Sequence, residues 1–424
     1  MTYNPSVPVT AIEFGTDKIC VLHGRQNDDG SAETLAFAQM PSDGCVRKGT
    51  IVDYEKAMKI LGGVLERADR AMPFSIERRN VYFLLNGMTV ESRRGEGTVM
   101  IHDGDQVTRQ HVCDALEKAH GLSLPQGIVS FSSYDSFFVV NRSNRVKNPI
   151  GQLAGQLDAY VHIITAGQKQ IENVRHILRE LGFERGAAEP VFNGMASAFG
   201  VLRSDEQEQG VLLIDFGMGV CDYVLICADG VYLSGVLGVG ISHVANDLSI
   251  GLDLPYDFCL KFLRESKMTK LREANTNFLE YTASVTGRKR RIPLDSFEKI
   301  MDLRLREIFT VIRAKVMEKK LSSCMTSGIV LCGGGAMLEG AVSTARNIFS
   351  APVRIGEPIG ISGVRAGFDS APVCYASILG LLKYAIESES EQETGGIDYV
   401  RNAIAGVAES MIGKFRQVRK VFSK

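Results

Sequence analysis

Two stretches of this chain, about two hundred residues apart, share one pattern. The first runs Thr10-Ala-Ile-Glu13-Phe-Gly15-Thr16-Asp17-Lys18-Ile-Cys-Val-Leu22, the second Leu212-Leu-Ile-Asp215-Phe-Gly217-Met218-Gly219-Val220-Cys-Asp222-Tyr-Val-Leu225. Each reads as an apolar strand, a carboxylate, a glycine turn and a second apolar strand. A glycine turn between paired strands lets backbone N–H groups approach an anion with no Cβ in the way. One copy is what any hairpin with a glycine turn shows. Two copies facing each other grip a polyphosphate from both sides, so the repeat predicts an α/β chain of two related halves with a nucleotide between them.

Length and composition leave room for this. The chain has 424 residues, about three domains' worth, with 45% apolar and 23% charged residues, as in soluble globular proteins. A formal net charge of −1 argues against a nucleic-acid partner. The nine cysteines are scattered, form no Cys-x-x-Cys pair, and read as reduced small hydrophobes of a cytoplasmic protein. The seven histidines show no metal-ligand spacing. Residues 1–6 lack the basic and apolar regions of a signal peptide, and no apolar run approaches the ~18 residues of a membrane span.

Between and beyond the two copies the pattern is mixed. Residues 54–70 place Ala57, Ile60, Leu61, Val64, Leu65 and Ala68 at helical spacing, and 81–85 form a buried strand. From 86 to about 165 short strands (97–101, 127–140 and 156–164) surround a helix at 108–120, which reads as an α+β insertion. A helix at 169–181, a strand-to-helix unit at 190–202 and a polar loop at 203–210 lead to the second copy. Residues 253–324 read as helical, with a basic turn at Arg288-Lys289-Arg290-Arg291. A strand at 328–331 runs into Gly333-Gly334-Gly335, followed by a helix at 337–349, Val353-Arg-Ile-Gly356 and an apolar helix at 375–385. Residues 387–396 are acidic and contain Ser and Gly, which predicts a flexible linker.

The residues of the turns suit phosphate chemistry. Glu13 and Asp215, each at a strand end, are placed to order water around Mg²⁺, and Lys18 to set a positive charge on phosphates. Gly15, Thr16 and Asp17 on one side, and Gly217, Met218, Gly219 and Val220 on the other, supply backbone. Gly333, Gly334 and Gly335, between a strand and a helix, suit a backbone approaching a purine or phosphate, and Gly240 after Val239 adds a further close approach.

The chain closes on a basic amphipathic pattern. Ile404, Val407, Ala408, Met411, Ile412, Phe415, Val418 and Phe422 form one apolar face at helical spacing. Lys414, Arg416, Arg419, Lys420 and Lys424 fall mainly outside it, and no acid follows Glu409. Such a helix lies in the interface of an anionic membrane.

The three glycine segments resemble the phosphate-1, phosphate-2 and adenosine loops of the actin, heat-shock chaperone and sugar-kinase superfamily. The block Asn148-Pro-Ile-Gly-Gln-Leu153 followed by Leu157-Asp-Ala-Tyr-Val-His-Ile-Ile-Thr165 narrows this and resembles the inserted subdomain of the bacterial cell-division family FtsA. Residues 352–358, the helix at 375–384 and the terminal amphipathic helix resemble that family too, so the resemblance runs from about residue 9 to the end. It implies an actin-like fold of two ribonuclease-H-like cores: 1–83 with 166–206, and 207–244 with 323–386. It further implies an inserted subdomain 1C at 84–165, a subdomain 2B at 245–322, a linker at 387–403 and a membrane helix at 404–424. The implied ligands are ATP and Mg²⁺ in the cleft. The implied partners are other copies in a filament, the anionic inner face of the cytoplasmic membrane, later division proteins through 1C, and the C-terminal peptide of the ring protein FtsZ. That peptide would dock on 2B near Arg288, Lys289, Arg290 and Arg291.

Three departures from the superfamily pattern point to slow chemistry. Val220 stands where a threonine hydroxyl is usual, Leu260 and Leu263 stand where a Glu and a Lys face the base, and Asn193 stands where related filament ATPases carry a Glu that positions water. An amide orients water but is a poor base, which leaves Asp215 and Asn193 as weak catalytic groups and ATP as an assembly ligand. A small-molecule kinase of the superfamily would need a cleft Asp as base for a substrate hydroxyl, and none stands out. A cytoplasmic actin-like adaptor of a pilus machine would not be expected to end in a membrane helix.

Overall fold

The computed structural model describes residues 8–73, 80–102, 104–184, 187–227, 230–282, 287, 289–363 and 368–393. The expected membrane helix, with Met411, Ile412, Lys414, Phe415, Val418, Arg419, Lys420 and Phe422, lies outside the described residues, as does Arg288.

The first half opens with the antiparallel meander β1 (Val9–Phe14), β2 (Lys18–Gln26) and β3 (Ala32–Pro41). The small pair β4 (Val46–Arg47) and β5 (Thr50–Ile51), helix α1 (Tyr54–Arg70) and strand β6 (Val81–Leu85) follow. The insertion contains β7 (Glu91–Met100), α2 (Arg109–His120), β8 (Ile128–Val140), β9 (Asn144–Val146) and β10 (Gln156–Gly167). Helix α3 (Gln168–Glu180), β11 (Ala188–Phe192), α4 (Asn193–Val201) and the short α5 (Ser204–Gln209) lead to the second half. There β12 (Val211–Phe216), β13 (Cys221–Cys227) and β14 (Gly230–Leu237) form a second meander, followed by α6 (Ile241–Leu252). Next come α7 (Tyr256–Arg264), α8 (Lys267–Glu273), β15 (Phe278–Thr282), β16 (Lys289–Pro293) and the long α9 (Leu294–Glu318). The chain then runs through β17 (Ile329–Cys332), α10 (Ala341–Phe349), β18 (Val353–Ile355), β19 (Ile361–Ser362) and α11 (Ala376–Glu393).

The duplication is visible in the sheets. The first is ordered β11-β6-β1-β2-β3-β19 and the second β14-β13-β12-β17-β18. Without the two-residue β19, each is an antiparallel meander whose first strand continues into two parallel strands, the same order twice. Every residue of β12 and of β17 is buried, as central strands covered by helices require. Helix α1 begins at Asp53, whose side chain accepts the N–H of Lys56, and buries the six apolar residues expected of it. At ~1.5–3 kcal/mol for each large apolar side chain, that face fixes the helix on its sheet. The insertion is a four-stranded antiparallel sheet, β7-β10-β8-β9, with α2 on one face and its own small core.

Three segments differ from the sequence reading. Residues 278–282 and 289–293 pair as antiparallel strands inside the stretch expected to be helical, with Leu279, Tyr281, Arg290 and Ile292 on the covered face and Glu280 and Arg291 on the open one, as in a half-covered pair. Helix α11 continues to Glu393, so residues 387–393 of the expected linker are helical. Ser388 is buried and Tyr82 donates a hydrogen bond to Glu389, which ties this turn to the first half. Finally, α11 follows the second half in sequence but crosses back. Tyr384 packs edge-on against Tyr82 of β6, and Lys383 donates to the carbonyl of Phe199 in α4.

Helices α11 and α4 touch through backbone. A Cβ on Gly200 would lie 2.6 Å from the carbonyl oxygen of Ala376, and one on Gly380 would collide with the carbonyl of Ala196. Because α4 carries the side chains that cross to the second half, Gly380→Leu forces this crossing apart. The expected cost is at least ~3 kcal/mol, as for severe overpacking. A thermal midpoint unchanged from the parent chain would show that the crossing does not hold α4 in place.

Candidate functional site

The two glycine turns are built alike. The Gly15 N–H donates to the Lys18 carbonyl at 2.9 Å, and the Gly217 N–H donates to the Val220 carbonyl at 2.9 Å. Phe14 pairs with Ile19 across the first turn and Phe216 with Cys221 across the second. Gly15 and Gly217 thus spend their N–H groups closing the turns. An anion would be met by the following residues, Thr16 and Asp17 on one side and Met218 and Gly219 on the other.

The turns meet face to face. A Cβ on Gly219 would lie 2.6 Å from the Thr16 hydroxyl. A Cβ on Gly240 would lie 2.5 Å from the Met218 carbonyl and 2.6 Å from that of Gly217, and the first N–H groups of α6, on Ile241 and Ser242, donate to those same carbonyls. Gly333 adopts φ of +77°, and a Cβ there would strike the Asp215 carboxylate. Gly335 lies against the Phe216 ring and Gly334 near Ile241. The fold therefore brings together the two turns, Gly240 and the glycine triplet. Val220 is buried and contributes no hydroxyl.

Beneath the turns lies a core of carboxylates. Asp215 and Asp222 are direct cross-strand neighbours on β12 and β13, where like charges repel. Asn193, the first residue of α4, donates from Nδ2 to Asp222 at 2.7 Å and to Asp215 at 3.1 Å, and Ser197 Oγ donates to Asp215 at 2.5 Å. Burial raises the Asp215 carboxyl against these hydrogen bonds. Burial and the neighbouring Asp215 push Asp222 well above the carboxylate range. Burial also pushes Glu13 up to about 7, against the pull of Lys18 and with Asp215 and Asp17 adding to the rise. Oδ1 of Asp222 is buried without a partner. Crowded carboxylates raised by burial, with an orphan oxygen among them, are what a nearby cation relieves. Among the described residues no three His, Cys, Asp or Glu side chains cluster for direct coordination. The set therefore fits Mg²⁺ held through water, which needs only one or two carboxylates.

The sequence reading did not single out Ser197 or the role of Asp222. The signal for Asp222 was present: a carboxylate inside an apolar strand run needs a polar partner. Asn193 sits where expected, but its amide is committed to the two carboxylates.

At the rim, Lys18 lies close enough to Glu13 to pull on its titration, and its ammonium also has an aromatic partner. Its ammonium lies 3.5 Å from the centroid of the Tyr375 ring, a cation–π contact, and Tyr375 is held in turn by Asp369 and Gln39. Asp17 instead pairs with Arg264 at the end of α7, an ion pair that crosses from the first half to the second. Behind it a cavity of about 70 Å³ is lined by Phe262, Leu263, Met268, Met301 and Met337, between α7, α8, α9 and the segment after the glycine triplet. Leu263 is buried and Leu260 partly buried, and the polar Ser266, Lys267, Thr269 and Glu339 also line the cavity.

Within the basic cluster, Arg290 has a structural role. Arg290 donates to the carbonyls of Leu252 and Asp253 at 2.9 Å, capping the C-terminus of α6, where a cation also meets the helix dipole. Arg291 pairs with Glu280 at 3.0 Å and lies over the Phe278 ring. Lys289 is exposed at the start of β16. All nine cysteines are free and buried or half-buried, and no described helix is long and apolar enough to cross a membrane.

This geometry has relatives. The family model described as Cell division protein FtsA matches residues 212–380, and the one described as SHS2 domain inserted in FTSA matches residues 87–165. The chain is similar to the Cell division protein FtsA of Borreliella burgdorferi, with 28% identity over 389 residues covering 90% of this chain and 91% of the relative. It is similar to that of Pseudomonas aeruginosa, with 26% identity over 386 residues covering 90% of each. Among solved structures, a chain of a PilM–PilN type IV pilus biogenesis complex superposes with a TM-score of 0.57 at 16% identity, covering 90% of this chain and 99% of its own. MreB5 of Spiroplasma citri bound to ADP superposes with a TM-score of 0.52 at 14% identity, covering 92% and 100%. These two share the fold.

Proposed function

The chain belongs to the FtsA family of cell-division proteins, with an actin-like fold and an SHS2 insertion, and on that footing we propose that it is an ATP-binding filament protein that tethers the FtsZ ring to the membrane. The observation that carries the nucleotide part is the meeting of Thr16 and Gly219 over the buried carboxylates. Two like turns over a crowded acidic core suit Mg²⁺-polyphosphate. Asp215 and Glu13 would hold Mg²⁺ through water, and the ion would supply charge neutralisation at the phosphates. The cavity beside Leu263 and Met337 would take the base.

Turnover is slow in this reading, because Asn193 is tied to Asp215 and Asp222 and is no general base. Purified protein should hydrolyse ATP below the ~1–1000 s⁻¹ of ordinary enzymes, measured as phosphate release. Hydrolysis at tens per second would mean that ATP is a turnover substrate after all. Residues 245–322 would dock the C-terminal peptide of FtsZ, with Lys289 and Arg291 the cations on offer since Arg290 is engaged in capping. The insertion would receive later division proteins. The whole reading is tested by electron microscopy of the protein on anionic lipid monolayers with and without ATP and Mg²⁺: nucleotide-dependent filaments support it, and their absence alongside measured ATP binding would remove the assembly role.

A further inference from the structure

The inserted subdomain is rooted in the first half but grips the second. His162 on β10 meets the Ser234 hydroxyl of β14 at 2.7 Å, both side chains buried, and Ser92 of β7 donates to the Ser234 carbonyl at 2.7 Å. Phe137 of β8 stacks on Tyr232 of β14, with Arg145 of β9 over both rings. Strand β14 is the edge of the second sheet, so its free side is the one the insertion covers.

Both attachments lead to the glycine turns. Strand β14 runs directly into Gly238, packed on Met88 at the root of the insertion, and then into Gly240, pressed on the carbonyls of Gly217 and Met218. Cys221 donates to the intervening Val239 carbonyl. On the other side, Asn86 and Gly87 at the same root abut Gly49, whose N–H donates to Thr16 Oγ1 at 3.3 Å. The root thus leans on the first turn, while the body holds the strand that ends on the second.

We propose that the inserted subdomain is a strap across the cleft, so that any parting of the two glycine turns must loosen its seat on β14. In thermodynamic terms the seat and the turn spacing are coupled, and a ligand that favours wider turns must pay for part of that seat. The ligand arm of the test rests on the nucleotide reading above; the coupling itself does not.

Hydrogen exchange on the full chain separates the two. Without nucleotide, His162→Phe combined with Tyr232→Ala should raise exchange at the amides of Gly217, Ile241 and Ser242 at least tenfold, although none of the three touches the substituted residues. If that variant does not fold, Ser234→Ala, which keeps the Ser92 bond to the carbonyl, should give a smaller rise at the same amides. Loosened exchange in β14 and β10 with parent-like exchange at the turns would overturn the strap. In a second arm, ATP with Mg²⁺ is added and its binding is measured on the same sample by equilibrium dialysis. Because Gly219 and Thr16 are in contact, a polyphosphate seated between the turns must part them, and bound nucleotide should raise exchange severalfold across residues 231–237 and 91–94. Binding with no change there overturns the strap, whereas no binding defeats the nucleotide reading and leaves the strap to be decided by the first arm.

Discussion

A chain cut before residue 404 should remain in the supernatant when anionic liposomes are pelleted, while the full chain should pellet with them. The expectation follows from the five cations Lys414, Arg416, Arg419, Lys420 and Lys424 behind an apolar face that includes Met411, Phe415 and Phe422. Each cation near an anionic surface contributes ~1 kcal/mol, so the set supplies a partition factor of roughly several thousand before any apolar burial is counted. Two controls assign the effect. Salt near 0.5 M shrinks the screening length toward a few ångströms and should release much of the full chain. Phe415→Glu should release it at low salt, by placing a charge on the apolar face. A single tail binds modestly, and filament assembly would multiply it through avidity, so release should be most complete without nucleotide. Sedimentation unchanged by the deletion refutes the anchor.

Legibility of this chain followed how local each feature is. The two turns, α1, the insertion and the glycine triplet were readable because each is a short apolar period closed by a turn residue. The twofold sheet order follows from the repeat itself. What was not readable needs distant partners. The strand pair 278–282 with 289–293 is too short and too charged for its alternation to compete with the helical stretches around it. Nothing in residues 376–386 states that α11 returns to the first half; that is settled by backbone contact between Gly200 and Gly380. The same holds for the site. Lys18 stands in the turn by position, but nothing near it in sequence states that its ammonium rests over Tyr375, far along the chain. Arg290 looked like part of a partner surface, but it completes the end of α6. Asp17 was read as turn backbone, and its partner Arg264 lies on the opposite half.

In protein stripped of divalent ions by a chelator, Glu13→Gln should become progressively more stable than the parent as pH rises. Glu13 has its pKa raised from 4.5 to about 7 in the folded chain. Between those values the folded state holds a proton that the unfolded state has lost, so the parent loses stability as pH increases and levels off above the folded value. Of the ~3 kcal/mol this shift represents, about 2 kcal/mol falls between pH 5.5 and pH 8.5, and Gln is spared all of it. His162, held down to about 4 by burial, contributes a slope of opposite sign in more acid solution. That slope is common to both chains and cancels in the difference, which scanning calorimetry at the two pH values measures directly. The gain must cost function if the acidic core exists for a cation. Mg²⁺ with nucleotide should raise the parent's midpoint at pH 8.5 by several degrees and the variant's by much less, because Gln cannot repay the ion's charge. Parallel pH dependence in the two chains would show that Glu13 is ordinarily solvated and that the strand-end carboxylate of the first turn is not part of the acidic core.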